Sequence, residues 1–237
     1  MARIHFQQQL ATLKDKLLAM AALSQQALEL SVEAYLSRDM GLCHHVGDIE
    51  VAINVAEREV AEMAYELLAK EQPMAMDLRF LMAVIKINGD LERVGDQAAA
   101  IVKRCAELMK SQPDAKPESL PGDIAGMGEI AGKMIRLAIR SLLEADPTMA
   151  EQVLHMDDEI DRMNHDALEQ LRDAMVQRPE VTENALNSII VARNLERSAD
   201  HATNIAEDVI FWVRGSDVRH NVTLGQGANA DLGVATT

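Results

Sequence analysis

The sequence predicts an all-α fold: two tandem antiparallel three-helix bundles, six long helices in all, related by internal duplication. Three observations predict it. Apolar residues make up 48% of the 237 but aromatics only 3%, and a core of Ala, Leu, Met, Ile and Val suits closely packed helices better than a β-sandwich. The six prolines, at positions 73, 113, 117, 121, 147 and 179, bound long proline-free segments with helical periodicity. The hexad L-E-R-x-x-D occurs twice, at 91–96 and 195–200.

The first helix is expected over about residues 4–37, broken in SRDMGL at Gly41. The second, about 40–70, carries Val46, Ile49, Ile53, Ala56, Val60, Met63 and Leu67 on one seam. Pro73 ends it. The third, about 75–110, runs from Phe80 to Leu108 with apolar spacings alternating between four and three. This 3.5-residue repeat marks helices packed nearly parallel or antiparallel. SQPDAKPESLPGD (111–123) reads as a linker. The fourth helix is expected over 121–145 and the fifth over 148–176, with Val153, Met156, Ile160, Met163 and Ala167 on its seam. The sixth, 180–213, repeats the spacing from Val191 through Leu195, Ala202 and Val209 to Trp212. Residues 1–112 and 119–214 then form the two bundles, and 215–237, which loses periodicity, a mobile tail.

The halves map onto each other. LERVGDQAAAI (91–101) matches LERSADHATNI (195–205) at a shift of 104, and EVAIN (50–54) lies over DDEID (157–161) at a shift of 107. Two copies are too few for a solenoid.

A formal net charge of −15 excludes a nucleic-acid binder, which needs a basic surface to displace counterions from phosphate. Acidity fits cations or basic patches on other proteins. Cys43 and Cys105 have no metal or redox spacing and are expected as buried free thiols. MARIHFQQQL lacks a hydrophobic signal core, and LLAMAAL (17–23) falls far short of the roughly 20 residues that span a bilayer. The expected setting is the cytoplasm.

Candidate chemistry lies in paired carboxylates. Glu92 and Asp96 fall at positions b and f, one helical turn apart, where like charges cost a few tenths of a kcal/mol; Arg93 is expected to point elsewhere. The second helix adds Glu50 and Asn54. The second half repeats the set as Asp157 and Asp161 with Glu196 and Asp200, and Asn204 and Glu207 are expected to extend its stripe. Oxygen donors without Cys or His at ligand spacing suit iron, manganese, magnesium or calcium better than structural zinc. The second site, richer in ligands, is expected to bind metal more tightly. His44, His45, His155, His165 and His201 are read as ordinary surface or boundary residues, the methionines as core filler, and Gly89 and Gly95 as close-packing positions. A hydrolase or oxidase would need an enclosed pocket beside the carboxylates, whereas b and f positions predict an open surface.

The two three-helix repeats, QPMAMDLR (72–79) at the start of the third helix and the paired LER-x-x-D segments resemble the PhoU family of phosphate-transport regulators over about residues 4–213. The resemblance implies multinuclear metal clusters, iron in particular with other divalent metals including zinc as alternatives. Their implied ligands are Glu50, Asn54, Glu92 and Asp96, then Asp157, Asp161, Glu196 and Asp200; Glu207 is the further candidate in the second set. Asn54 replaces a carboxylate. The resemblance further implies an adaptor, not an enzyme, linking the ATPase and membrane subunits of a phosphate ABC transporter to a sensor histidine kinase and holding the starvation response off when phosphate is plentiful. Membrane association would come only through those partners. A homodimer is expected.

Overall fold

The computed structural model describes residues 2–112, 120–216 and 218. Six long α-helices account for nearly all of them: α1 (Ala2–Ser37), α2 (Met40–Glu71), α3 (Ala75–Ser111), α4 (Ile124–Glu144), α5 (Pro147–Gln177) and α6 (Thr182–Arg214), with a short 3-10 turn, Pro179–Val181, before α6. The expected linker lies largely, and the expected tail almost wholly, outside the described residues.

Local chemistry sets the ends. Asp39, Asp123 and Asp146 cap α2, α4 and α5, their carboxylates accepting from one (Asp123) or two (Asp39, Asp146) backbone N–H groups of the first turn that have no helical partner. Pro147 opens α5, where its missing N–H costs nothing and its fixed φ suits the helix. At the other end of α6, Gly215 adopts φ 74° and donates to Phe211 O at 2.9 Å, closing the helix in the left-handed conformation glycine takes freely.

Helices α1, α2 and α3 pack on one another, as do α4, α5 and α6; the bundles meet through α3 against α6 and α1 against α4. α2 and α5 therefore flank the molecule. The seam residues expected in α3, from Phe80 to Leu108, are all buried. Of the methionines, Met20, Met127 and Met134 fill the core as expected, but Met74, Met76 and Met82 are exposed. Cys43 and Cys105 are buried free thiols, and burial pushes the Cys43 thiol up to about 12.

The α3–α6 contact is antiparallel and joins the halves. Phe80 packs on Trp212 with ring centroids 4.9 Å apart, and Arg79 Nε donates to Trp212 O at 3.1 Å. Lys86 bonds the buried Asp208 at 3.2 Å. At mid-length, the ring of His201 donates from Nδ1 to Asp90 Oδ1 at 2.8 Å, and Asn204 donates to the same oxygen at 3.2 Å. Under the 104-residue shift Asp90 maps to Asn194 and His201 to Gln97, both buried polar residues. Crossing the same two positions of each copy is the pattern of an approximate two-fold interface.

The two glycines of α3 serve different ends. A Cβ on Gly95 would meet Ile53 Cδ1 at 2.9 Å, so α2 and α3 approach closely there as expected. Gly89 has nothing within 4 Å and is exposed, which overturns the close-packing expectation for it. Gly89→Ala is therefore expected to stabilise the fold by about 0.5–1 kcal/mol through helix propensity alone. Gly95→Leu should destabilise it by about 1–3 kcal/mol through overpacking. Urea unfolding of the two variants beside the parent protein measures both signs.

Candidate metal centre

The carboxylates belong to helices that lie side by side. α2 runs antiparallel to α3, with Asn88 Nδ2 donating to Glu57 O at 2.9 Å and Gly95 against Ile53. This register sets Glu50, Asn54 and Glu57 beside Asp96 and Glu92. α5 and α6 repeat the arrangement, with Thr203 donating to Asp157 Oδ1 at 3.2 Å. Each half thus gathers its acidic side chains on the seam between its flanking helix and its central one.

The first cluster is partly compensated. Burial raises the pKa of Glu92, with Asp96 the next cause; Arg93 opposes them and the more distant Glu57 and Glu50 add to the rise. Arg93 donates to Asp96 Oδ2 at 3.2 Å and reaches Glu92 at 3.5 Å. The expectation that it points elsewhere is corrected: on an exposed helix surface a long flexible side chain swings over its own neighbours one and three residues away. Asn54 Nδ2 donates to Glu50 Oε1 at 2.5 Å, occupying one of the oxygens that a metal would need.

In the second cluster cations weigh less: Arg193 and Arg197 oppose the rise at Glu196, and His201 and Arg197 at Asp200, but each stands behind the neighbouring acids. Asp157 is raised first by loss of solvent and then by Asp161, Asp200 and Asp158 against the relief of the Thr203 hydroxyl. Glu196 is raised by burial, then by Asp200 and Asp161; Asp200 by burial, then by Asp161. Four acids from two helices therefore feel one another's charge, which is the arrangement a dication relieves. Among the described residues no three His, Cys, Asp or Glu side chains stand tightly enough to hold an ion as placed. The four surround a common patch whose side chains must close inward to coordinate. The donor set fits a hard cation, better in the second half than in the first.

Two features differ from the sequence reading. The b and f positions are not fully open: Glu50, Asn54, Glu92, Asp96, Asp157 and Glu196 are half-buried beside the adjacent helix, while Asp161 and Asp200 are more exposed. Glu207 continues the α6 stripe but lies seven residues beyond Asp200, a rise of about 10 Å. It lines a cleft of about 770 Å³ between the bundles together with Asp90, His201 and Asn204. Its side chain belongs to that cleft more than to the cluster.

Sequence reasoning missed two residues. Glu57 continues the Glu50–Asn54 stripe by three positions and could have been read from that spacing. His201, expected as an ordinary surface or boundary residue, bonds Asp90 across the bundle interface; its partner lies 111 positions away, so no local pattern signals it.

A family model described as the PhoU domain matches residues 17–105 and 124–209, one copy in each bundle. The phosphate-specific transport system accessory protein PhoU homolog of Pseudomonas aeruginosa is 36% identical over 217 residues, covering 91% of this chain and 88% of the relative. PhoU homolog 1 of Thermotoga maritima is 30% identical over 220 residues, covering 91% and 92%. The crystal structure of PhoU from Pseudomonas aeruginosa superposes with a TM-score of 0.84 at 35% identity, over 89% of this chain and 100% of that one.

Because folding raises these carboxyl pKa values, the native second cluster binds more protons than the unfolded chain, so its contribution to stability falls as pH rises from the ordinary carboxylate range through the raised values. Glu196→Gln/Asp200→Asn is accordingly expected to raise metal-free stability at pH 7 by about 0.5 kcal/mol. The gain should vanish below about pH 4, where ordinary carboxyls are protonated. Thermal unfolding in chelator across that range measures it. Duplicated helices, a repeated acidic seam in each and a domain match that falls once on either bundle converge on one conclusion: the chain belongs to the PhoU family.

Proposed function

We propose that the protein is a cytoplasmic regulator of phosphate uptake and phosphate-starvation signalling. It acts as an adaptor between a phosphate ABC transporter and a sensor histidine kinase, and holds the response off when phosphate is plentiful. Support for the phosphate-transport setting comes from family membership and from relatives named as accessory proteins of the phosphate-specific transport system. Among the described residues no helix is long and apolar enough to cross a membrane, in keeping with a protein that reaches the bilayer through its partners.

The observation that carries the adaptor reading is the face made by α2, α3, α6 and α5, which presents both carboxylate seams together. Asp157, Asp161, Glu196 and Asp200 would hold iron or another divalent metal, with Glu50, Glu92 and Asp96 as the weaker second set. The cation supplies positive charge and rigidity to a surface that otherwise repels itself, giving that face a charge and shape that partners read. The clusters line seams that are half-buried but not enclosed, which favours recognition over an enclosed reaction. A homodimer completes the proposal.

Two measurements test it. Addition of Mn2+ or Fe2+ should raise the melting temperature of the chelator-treated protein, because a ligand that binds only the native state stabilises it by mass action. Glu196→Gln/Asp200→Asn should lose most of that rise, and an undiminished rise would remove the second site. Purified transporter ATPase and kinase should each be retained by the immobilised protein at high phosphate. Retention of neither, at high or low phosphate, would end the adaptor reading.

A further inference from the structure

On the side away from the carboxylate seams, α1 and α4 enclose a groove of about 570 Å³. Its position follows from the packing, since α1 and α4 meet along one edge of the bundle pair and α3 and α6 along the other. The floor is apolar. Val32 meets Gly128 where the helices touch, and a Cβ on that glycine would lie 2.8 Å from Val32 Cγ1. Leu36 stands above it, 42% exposed, with Ala125 opposite.

The rim is acidic. Glu29, Glu33 and Glu129 are exposed around the apolar floor. Arg136 lines the groove as well and pairs with Glu29, which leaves the rim net negative. The groove also lies at the C-terminal end of α1, where Arg38 follows the last turn and donates to Asn184 Oδ1. The N-terminus of α4 meets the same groove, so the two helix dipoles oppose each other there and the negative field is that of the glutamates. Apolar surface surrounded by negative charge is the complement of one chemistry: a helix with an apolar stripe flanked by lysine or arginine.

We propose that the α1–α4 groove binds a cationic amphipathic helix of a partner protein. One or two apolar side chains of that helix enter between Leu36 and Gly128, and its basic residues pair with Glu33 and Glu129. The lining residues extend about 10–16 Å along α1 and α4, which matches two to three turns of a bound helix. The inference rests on the adaptor reading of the chain but uses a surface separate from both carboxylate seams, so metal and partner can be bound at once.

The test uses a fluorescent 14-residue Leu–Lys peptide with leucines at helical spacing, its Leu–Glu counterpart, and the full-length protein in anisotropy titrations. The Leu–Lys peptide is expected to bind and the Leu–Glu peptide not to. Glu33→Lys/Glu129→Lys should weaken binding about tenfold or more, since two attractions become repulsions. Glu62→Lys/Glu71→Lys, which makes the same change of net charge on the exposed outer surface of α2, should leave it within about twofold, because screened distant charges contribute little. Leu36→Gln, which leaves the charge unchanged, should also weaken binding, and circular dichroism verifies that each variant is folded. Absence of binding to the parent protein, equal losses in the two charge-reversal variants, or full retention by the groove variants would each overturn the proposal. A groove variant that altered the oligomeric state while keeping the peptide's affinity would overturn it in favour of a second copy of the chain. Loss of transporter and kinase retention with peptide binding intact would refute the adaptor reading and leave the groove standing.

Discussion

The structure depends on the antiparallel contact of α3 with α6. A three-helix bundle of this length buries only one side of each helix, and the central helices of both bundles carry apolar residues on more than one side. Phe80, Val84 and Val94 belong to a core that is continuous with Leu195, Ile205 and Val209. Burying that surface against a second bundle removes it from water at roughly 25 cal/mol per Å2. The polar groups drawn in with it must then find partners, since an unpaired buried carboxylate would cost several kcal/mol. Asp208 finds Lys86, and Asp90 finds His201 and Asn204.

That contact also decides what the surface can do. An approximate two-fold axis between α3 and α6 carries one seam of acids into the other, so both arrive on the same face of the molecule. The cleft between them has its own chemistry, lined by acids and by Lys86, Arg93 and His201. Acidity is therefore organised, not spread evenly. Partial burial first and crowding second raise the carboxyl pKa values of Glu92, Asp157, Glu196 and Asp200, whereas an exposed acid such as Glu59 pairs with a nearby base, Lys16, at 2.5 Å.

The two seams have diverged within a shared plan. In the first, Asn54 stands where the second has Asp161, and Arg93 leans over Glu92 and Asp96. In the second, the corresponding Arg197 is a minor neutralising influence on Glu196 and Asp200, behind the neighbouring acids. A cation has more repulsion to relieve in the second half than in the first. The difference arises from single substitutions and side-chain directions on helices packed in the same order, as expected of a duplication whose copies came under different demands.

The helices, their number and the correspondence of the two halves are legible in the chain without its fold. Those properties are written in short-range patterns: apolar residues every three or four positions, prolines and capping aspartates at the ends, and a hexad repeated at one shift. The acidic pairs were legible for the same reason, since Glu92 with Asp96 and Glu196 with Asp200 each lie within one turn. Which partners those residues meet depends on how the helices pack. The bond from His201 to Asp90, the lean of Arg93, the turn of Glu207 into the cleft and the open space around Gly89 depend on the rotation and spacing of helices far apart in the chain. The 3.5-residue repeat fixes which side of a helix is buried, but residues at the edge of that side are assigned by the neighbour that packs there, and no local spacing encodes it.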